Sequence, residues 1–438
     1  MTDRRTVLAW GLWDWGSAAF NAVLVTFIFA VYLTDSVGRN VGGPLTPAQY
    51  YGFAIGLAGV LIAALTPVMG QRSDLRGTRR RAVGTWTFLT VALMASLFLV
   101  RDDAAVWFWV GVTVMAVASI TFEIAEVNYF AQLTQISTPE TVGRVSGFGW
   151  GMGYLGGIVV LLGCYLGFVA GSGDTRGLFN LPTEGGLNIR VVAVFAAAWF
   201  AVFALPVLLR VPEIAPSGEK PESFRESYRR LFRDLRSLWH EDRNSVFFLV
   251  SSAVFRDGLA GVFTFGAILA VSVYGLGAGD VLLFGVAANV TAALGALAGG
   301  WLDDRMGPKP VILGSLGIMI AVGVALLFVQ GPVGFWIFGL LLCTFVGPAQ
   351  SSARSFLSRV APAAQEGQMF GLYATTGRAV SWLSPVAFAA TVFLGGGDDR
   401  YGILGIVTVL AAGAALLLRV RDPHTPARRT PETGTVEA

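Results

Sequence analysis

Apolar residues fall in long blocks along the chain, and polar residues gather in the gaps between them. The blocks lie at roughly 7–33, 49–70, 83–100, 105–130, 146–170, 188–209, 244–274, 279–302, 311–329, 332–352, 369–393 and 401–419. Each is about 18 residues or longer, the length a helix needs to cross a hydrocarbon layer. They are too long for barrel strands, and lipid requires backbone polar groups to be satisfied within the element. The pattern predicts an all-α membrane protein of twelve transmembrane helices.

The longest polar gap, 210–243, divides the blocks six and six. The predicted organisation is a six-helix bundle over 1–209, a cytoplasmic linker over 210–243, a second six-helix bundle over 244–419 and a disordered tail over 420–438. The linker opens with Pro212, Pro216, Gly218 and Pro221, which read as irregular chain. Then Phe224, Tyr228, Leu231, Phe232, Leu235, Leu238 and Trp239 recur at spacings of three and four, between Arg225, Arg229, Arg230, Arg233 and Arg236. That is an amphipathic helix with a basic polar face. Two readings stand side by side: a helix lying on anionic headgroups and coupling the two halves, or a solvated tether under the bundle.

Composition narrows the function. With 54% hydrophobic and 13% charged residues, a soluble domain is excluded. The net charge of +3 says less than its distribution. Arg72, Arg76, Arg79, Arg80 and Arg81 crowd one gap, and Arg419, Arg421, Arg428 and Arg429 follow the last block. Positive charge concentrates on the inner side of membrane proteins, so both termini are expected in the cytoplasm. The first block is too long for a signal peptide, contains Asp14 and precedes no small-residue cleavage site, so it is expected to stay as a span. Cys164 and Cys343 lie inside apolar blocks and read as packing residues. His240 and His424 are isolated, so no metal or other cofactor is expected. No nucleophile–base set suggests an intramembrane enzyme, and no nucleic-acid partner is expected.

Two of the gaps share a pattern. Gly70, Asp74, Gly77, Arg79 and Arg80 in the first half are echoed by Gly300, Asp304, Gly307 and Lys309 in the second. In each, a Gly is followed by Asp at +4, Gly at +7 and a cation at +9. A repeat of this period means two copies of one membrane bundle, a plan typical of transporters. Gly77 and Gly307 suit the positive φ at which a helix ends. Asp74 and Asp304 suit a helix N-terminus, where free N–H groups favour an anion. The cations beyond are expected at the headgroup level.

These hairpins resemble the signature loop of the major facilitator superfamily, between the second and third spans and again between the eighth and ninth. The loop Asp there helps hold the inward-closed contact between halves, a role the resemblance assigns to Asp74 and Asp304. Further motifs narrow it. Trp13-Asp14-Trp15 opens the first span, Arg144 to Gly157 the fifth, and Phe255-Arg256-Asp257-Gly258 lies in the seventh. Gly347-Pro-Ala-Gln350 with Arg354, and Phe370-Gly-Leu-Tyr373, flank the tenth–eleventh connection. Together, from about residue 8 to 419, the chain is similar to the branch named for the vacuolar amino-acid effluxer of autophagy, which has many bacterial members. It departs after Asn128, where Tyr-Phe-Ala-Gln-Leu replaces Ala-Phe-Leu-Pro and an acid.

Charges inside the spans are the candidate chemistry, because each costs about 3 kcal/mol at mid-bilayer and needs a partner or a wet cavity. Asp14, Glu123, Glu126, Arg256 and Asp257 fall on spans 1, 4 and 7, which line the central cavity in the resembled fold; Arg378 falls on span 11. Asp257 or Asp14 is read as a proton-coupling carboxylate, with fixed pairing such as Asp257 to Arg378 as the structural alternative. Glu123 and Glu126 are assigned to the cytoplasmic gate, where Arg144 or Arg354 would meet them. Trp13, Trp15, Tyr154, Trp382 and Gln350 are candidate solute contacts. The glycines of span 5 and the small residues of span 8 mark faces on which helices approach closely.

The resulting expectation is a monomeric secondary transporter, embedded in lipid in a bacterial inner membrane. It moves a small solute by alternating access, and the resemblance implies an amino acid, with protons as a coupled partner. Drug or lipid export on the same fold, or a non-transporting membrane sensor, are the alternatives.

Overall fold

The computed structural model describes residues 3–216, 223–276, 278–362 and 364–422. Twelve helices among them are long and apolar enough to cross a membrane. In chain order, spans 1 to 6 are Arg4–Arg39, Pro47–Arg76, Arg79–Leu99, Ala105–Ile136, Val142–Val169 and Glu184–Arg210. Spans 7 to 12 are Arg243–Ser272, Leu283–Met306, Pro308–Leu326, Gly331–Val360, Glu366–Leu394 and Asp399–Leu418. Each predicted block is found. The helices run further than their apolar cores, because capping residues extend them into the polar gaps. Asp3 accepts the Arg5 and Thr6 N–H groups ahead of span 1. Thr46 and Gln49 form a reciprocal capping box at span 2, and Asp242 caps span 7 through the Ser245 N–H.

Two apolar cores organise the molecule. One runs from Trp10 to Val211, wholly within spans 1–6 and their flanks. The other is built almost entirely from spans 7–12, with Leu231 of the linker and Val68, Val127 and Ala131 of the first half added. Large exposed apolar side chains such as Phe53, Leu57, Val202 and Phe393 lie on the outer helix faces, as a lipid solvent requires. Cys164 and Cys343 are buried free thiols.

Several helices are locally irregular. Span 1 leaves α-helical geometry after Ala18 and continues in wide π turns over Ala19–Phe27. Pro67 lies inside span 2, and Pro348 inside span 10. Span 11 breaks into Glu366–Val380 and Leu383–Leu394. Pro385 explains the break, because its missing N–H and its ring disrupt the turn that would join the pieces.

The linker helix spans Phe224–Glu241. Ser223 and Glu226 cap it reciprocally, and the Ser223 backbone N–H holds the Glu226 carboxyl below the usual carboxylate range. Most of the tail, 423–438, and Gly218 and Pro221 lie outside the described residues.

Candidate functional site

The two hairpins sit at one end of the bundle, and there the halves are joined. Span 2 ends at Gly77, whose φ of 65° lets the chain turn out of the helix; Gly307 has φ 88°. Just before Gly77, the Asp74 carboxylate accepts the backbone N–H of Gln368 at 3.1 Å. That N–H belongs to the first turn of span 11, in the opposite half. The second hairpin mirrors this. Asp304 accepts the backbone N–H groups of Gly143 at 2.8 Å and Arg144 at 3.2 Å, in the first turn of span 5. Each aspartate thus sits on a helix N-terminus across the seam, as anion–dipole attraction favours. Gly70 and Gly300 allow the approach: a methyl group on Gly70 would collide with the Gly367 carbonyl, and one on Gly300 would meet the Gly143 carbonyl oxygen at 2.5 Å.

The cations differ between the copies, and here the headgroup expectation fails for Arg79. Its side chain is buried, donating to Asp74 at 2.6 Å and to Glu366 at 2.5 Å. A carboxylate from each half faces it, so its fork is desolvated and saturated instead of snorkelling outward. Arg80 stays half-buried and ties the hairpin to the linker, with its N–H on Glu213 at 2.9 Å and its side chain on the Val211 carbonyl at 3.3 Å. Lys309 never crosses the seam. It donates to the Leu418 and Val420 carbonyls at 3.1 and 2.5 Å, satisfying the end of span 12. Arg144 and Arg359 take the cation's place beside Asp304 and Asp303: Arg144 bonds Asp304 at 2.8 Å, and Arg359 bonds Asp303 at 2.7 Å.

Deeper along the seam, span 10 sends Arg354 into the first half. It is buried, and donates to the Ser146 hydroxyl at 3.0 Å and carbonyl at 2.6 Å, and to Asp14 at 3.4 Å. Its guanidinium lies 4.9 Å from the ring centroids of both Trp10 and Phe130. Asp14 also accepts the Tyr129 hydroxyl at 2.8 Å. Asp14 therefore belongs to the seam and not to the cavity wall. Trp13 leaves the solute-contact set too. It is fully buried, stacks on Tyr129 at 4.2 Å and donates to Thr87 at 3.0 Å. Its place is the core of the first half, since helical periodicity turns it away from the central axis.

Beyond this seam a cavity of about 530 Å³ opens between the halves. Glu123, Glu126, Arg256, Asp257, Gln350 and Arg378 line it. Glu123 and Glu126 are thus on the cavity wall and not at the hairpin-end seam, and neither meets Arg144 or Arg354 in a salt bridge among the described residues. Glu123 pairs instead with Arg378 across the halves at 2.7 Å. Among the described residues, Glu126 has no hydrogen-bond or ion-pair partner. Arg256 donates to the Tyr373 carbonyl at 2.6 Å and the Ser252 carbonyl at 3.3 Å, with its guanidinium 3.3 Å from the Tyr373 ring centroid. Asp257 does not pair with Arg378. It accepts the Ser384 N–H at 2.6 Å, capping the second piece of span 11. Trp15, Tyr154 and Trp382 are not part of the cavity lining.

Sequence reasoning missed Tyr129, Tyr373, Glu366, Gln368, Asp303 and Arg359. For Glu366 and Gln368 a signal was present in Gly367 and Gly371, four apart at the head of span 11. Span 2 backbone packs against both glycines: a methyl on Gly371 would collide with Pro67.

Two six-helix halves around a central polar cavity, sealed at one end by duplicated Asp hairpins, make this a secondary transporter of the major facilitator superfamily, and not an enzyme. The chain belongs to the family described as "Vacuole effluxer Atg22 like", whose model matches residues 134–425. It is 23% identical over 414 residues to the "Uncharacterized MFS-type transporter YxiO" of Bacillus subtilis (strain 168), covering 94% of each chain. It is 25% identical over 285 residues to the "Autophagy-related protein 22-1" of Aspergillus fumigatus, covering 59% of this chain and 44% of that protein. Among solved structures, the proton:xylose symporter XylE bound to 6-bromo-6-deoxy-D-glucose superimposes with a TM-score of 0.72 at 13% identity, over 95% and 96% of the two chains. FucP in its outward conformation also gives 0.72, at 16% identity over 96% and 99%. These two likenesses bear on the fold alone.

Proposed function

We propose that this transporter carries a small amino acid by alternating access, with a proton as the coupled ion. The observation that carries the reading is the placement on the wall of one cavity of the Arg256 guanidinium and the Glu126 carboxyl group, which among the described residues has no hydrogen-bond or ion-pair partner. A zwitterion presents a carboxylate for the former and an ammonium for the latter. Arg256 has five N–H donors, and backbone carbonyls occupy two of its nitrogens. Gln350 supplies a further polar group on the same wall.

Alternating access needs a seam that can part, and the hairpin end supplies one made of discrete polar contacts. Asp14 is the proton-coupling candidate that this geometry favours. Protonating it removes the anion facing Arg354 and weakens a contact that joins the halves, whereas Asp257 is committed to a backbone N–H within its own half. The crowd of arginines at the hairpin end supports a cytoplasmic placement of that end and of both termini. In this state the cavity would then face outward, with the bacterial inner membrane as the site of action. One chain supplies both halves of the pathway, so a monomer suffices.

A thermal-shift screen of the purified protein against amino acids, sugars and lipophilic cations tests the reading. A ligand at 100 times its Kd stabilises by about 2.7 kcal/mol. The expected result is an upward shift with a subset of amino acids that Glu126→Gln abolishes. Shifts only with sugars or lipophilic cations would overturn the substrate class, and binding without flux in proteoliposomes would favour a sensor.

A further inference from the structure

The linker helix has two faces with different chemistry. The inner face crosses the seam. Asp234 accepts from Gln71 of span 2 and from Gln368 of span 11, each at 3.4 Å. Leu231 is buried against the second half, and the Arg72 guanidinium lies 4.3 Å from the Phe224 ring centroid. The helix does not hang below the bundle. The Tyr228 hydroxyl donates to the Ala64 carbonyl at 3.1 Å, twelve residues before span 2 ends at Arg76. At 1.5 Å per residue that carbonyl lies about 18 Å up the span, so the helix lies alongside span 2 and not beyond its end. Its other flank meets span 7, where Trp239 and Phe247 have ring centroids 6.4 Å apart.

The outer face carries Arg225, Arg229, Arg233 and Arg236, all exposed. Phe232 is 69% exposed and Trp239 48% exposed among them. Glu226 is the one acid on that face among residues with described side chains, and Asp234 is turned inward. Arginines interleaved with protruding aromatics, on a helix lying alongside a span, suit an interface that is apolar on one side and anionic on the other.

We propose that this outer face binds the anionic headgroups of one leaflet and that the contact clamps the hairpin-end seam shut. Headgroup phosphates hold the arginines, Phe232 enters the acyl boundary, and the helix is thereby pressed across spans 2 and 11. The clamping role rests on the alternating-access reading above. The lipid contact does not, and it is read without transport.

The test uses the full chain in nanodiscs of phosphatidylcholine alone or rich in phosphatidylglycerol. Phe232→Cys carries a polarity-sensitive fluorophore, since Cys164 and Cys343 are buried. Shallow spin-labelled lipid should quench it strongly in phosphatidylglycerol discs and weakly in phosphatidylcholine. Each arginine is worth about fivefold in partition to an anionic surface, so R225Q/R229Q/R233Q/R236Q should abolish the difference, as should high salt. These residues are exposed, so the variant retains its fold. Equal quenching in both lipids, or quenching untouched by the fourfold substitution, overturns the contact. In a second arm, Ala131→Cys reports opening of the seam to an impermeant maleimide. Slower labelling in phosphatidylglycerol supports the clamp, and equal labelling while the quenching difference persists overturns it. Loss of the amino-acid thermal shift with the lipid effect intact would sink the substrate reading alone.

Discussion

Arg354 offers the sharpest test of how the seam holds. It reaches from span 10 into the first half, where it meets Ser146 twice and Asp14 once. None of these partners belongs to its own half, so parting the halves at this end must break all three contacts. Replacing Arg354 with Leu removes them and leaves Asp14 facing only Tyr129. Breaking a buried pair by deleting one partner costs about 3–5 kcal/mol. If that cost falls on the closed seam alone, the balance between closed and open moves by at least about 10²-fold. Arg354→Lys keeps the charge but loses the planar fork that bonds Ser146 at two points, so an intermediate effect is expected. The assay is the rate at which impermeant maleimide labels single cysteines. Ala131→Cys, buried beside Arg79, reports the hairpin end; Ser119→Cys, on the cavity wall, reports the other. The first rate should rise by about 10²-fold in Arg354→Leu and the second should fall. Unchanged rates at both positions, with thermal stability as in the parent protein, would refute the reasoning. A rise at both would indicate loosening and not a shifted balance.

Three further outcomes follow from the packing. Gly70→Val should prevent closure at the hairpin end, because the new side chain meets the Gly367 carbonyl; overpacking of this kind costs about 1–3 kcal/mol, and Ala131→Cys labelling should rise accordingly. Trp13→Phe should lower the melting temperature through the lost Thr87 bond, worth about 1 kcal/mol, and leave the ligand profile in the thermal screen unchanged; a changed profile would return Trp13 to the cavity wall. In a double-mutant cycle, Glu123→Gln and Arg378→Gln should show coupling of about 0.5–3 kcal/mol, and additive effects would show that the pair contributes nothing.

What was legible in the sequence is what local chemistry fixes. The apolar blocks fixed span number, because lipid leaves a helix little alternative. The hairpin motif fixed the turns at Gly77 and Gly307 and the preference of Asp74 and Asp304 for helix N-termini. Which helix each would meet, span 11 or span 5, is a matter of how the halves dock. The fate of the matching cations was hidden for the same reason. Arg79 and Lys309 occupy equivalent positions, yet one is buried between Asp74 and Glu366 and the other caps span 12. Arg79 is 287 positions from Glu366, and no spacing rule reaches that far. Asp257 lies on the cavity wall as expected, but its alternative pairing with Arg378 does not form, because the break in span 11, which only Pro385 marked, offers it the Ser384 N–H instead. Glu123 and Glu126 carried two readings, cavity wall and cytoplasmic gate; they line the cavity, and the gate reading fails because Arg378, 255 positions away, takes Glu123.

The two separate cores bear on how such a chain is made. Asp74 and Arg79 neutralise each other within the first half, and Asp303 and Arg359 do so within the second. Each half can therefore pack its own core without waiting for its sister, whereas Glu366, Asp304 and Glu123 meet Arg79, Arg144 and Arg378 only across the seam. Arg354 has no such companion at home, so its bonds to Ser146 and Asp14 can form only when the finished halves meet. Closure of the seam therefore needs both halves in place, and a first half alone would keep Asp14 on Tyr129 but without Arg354.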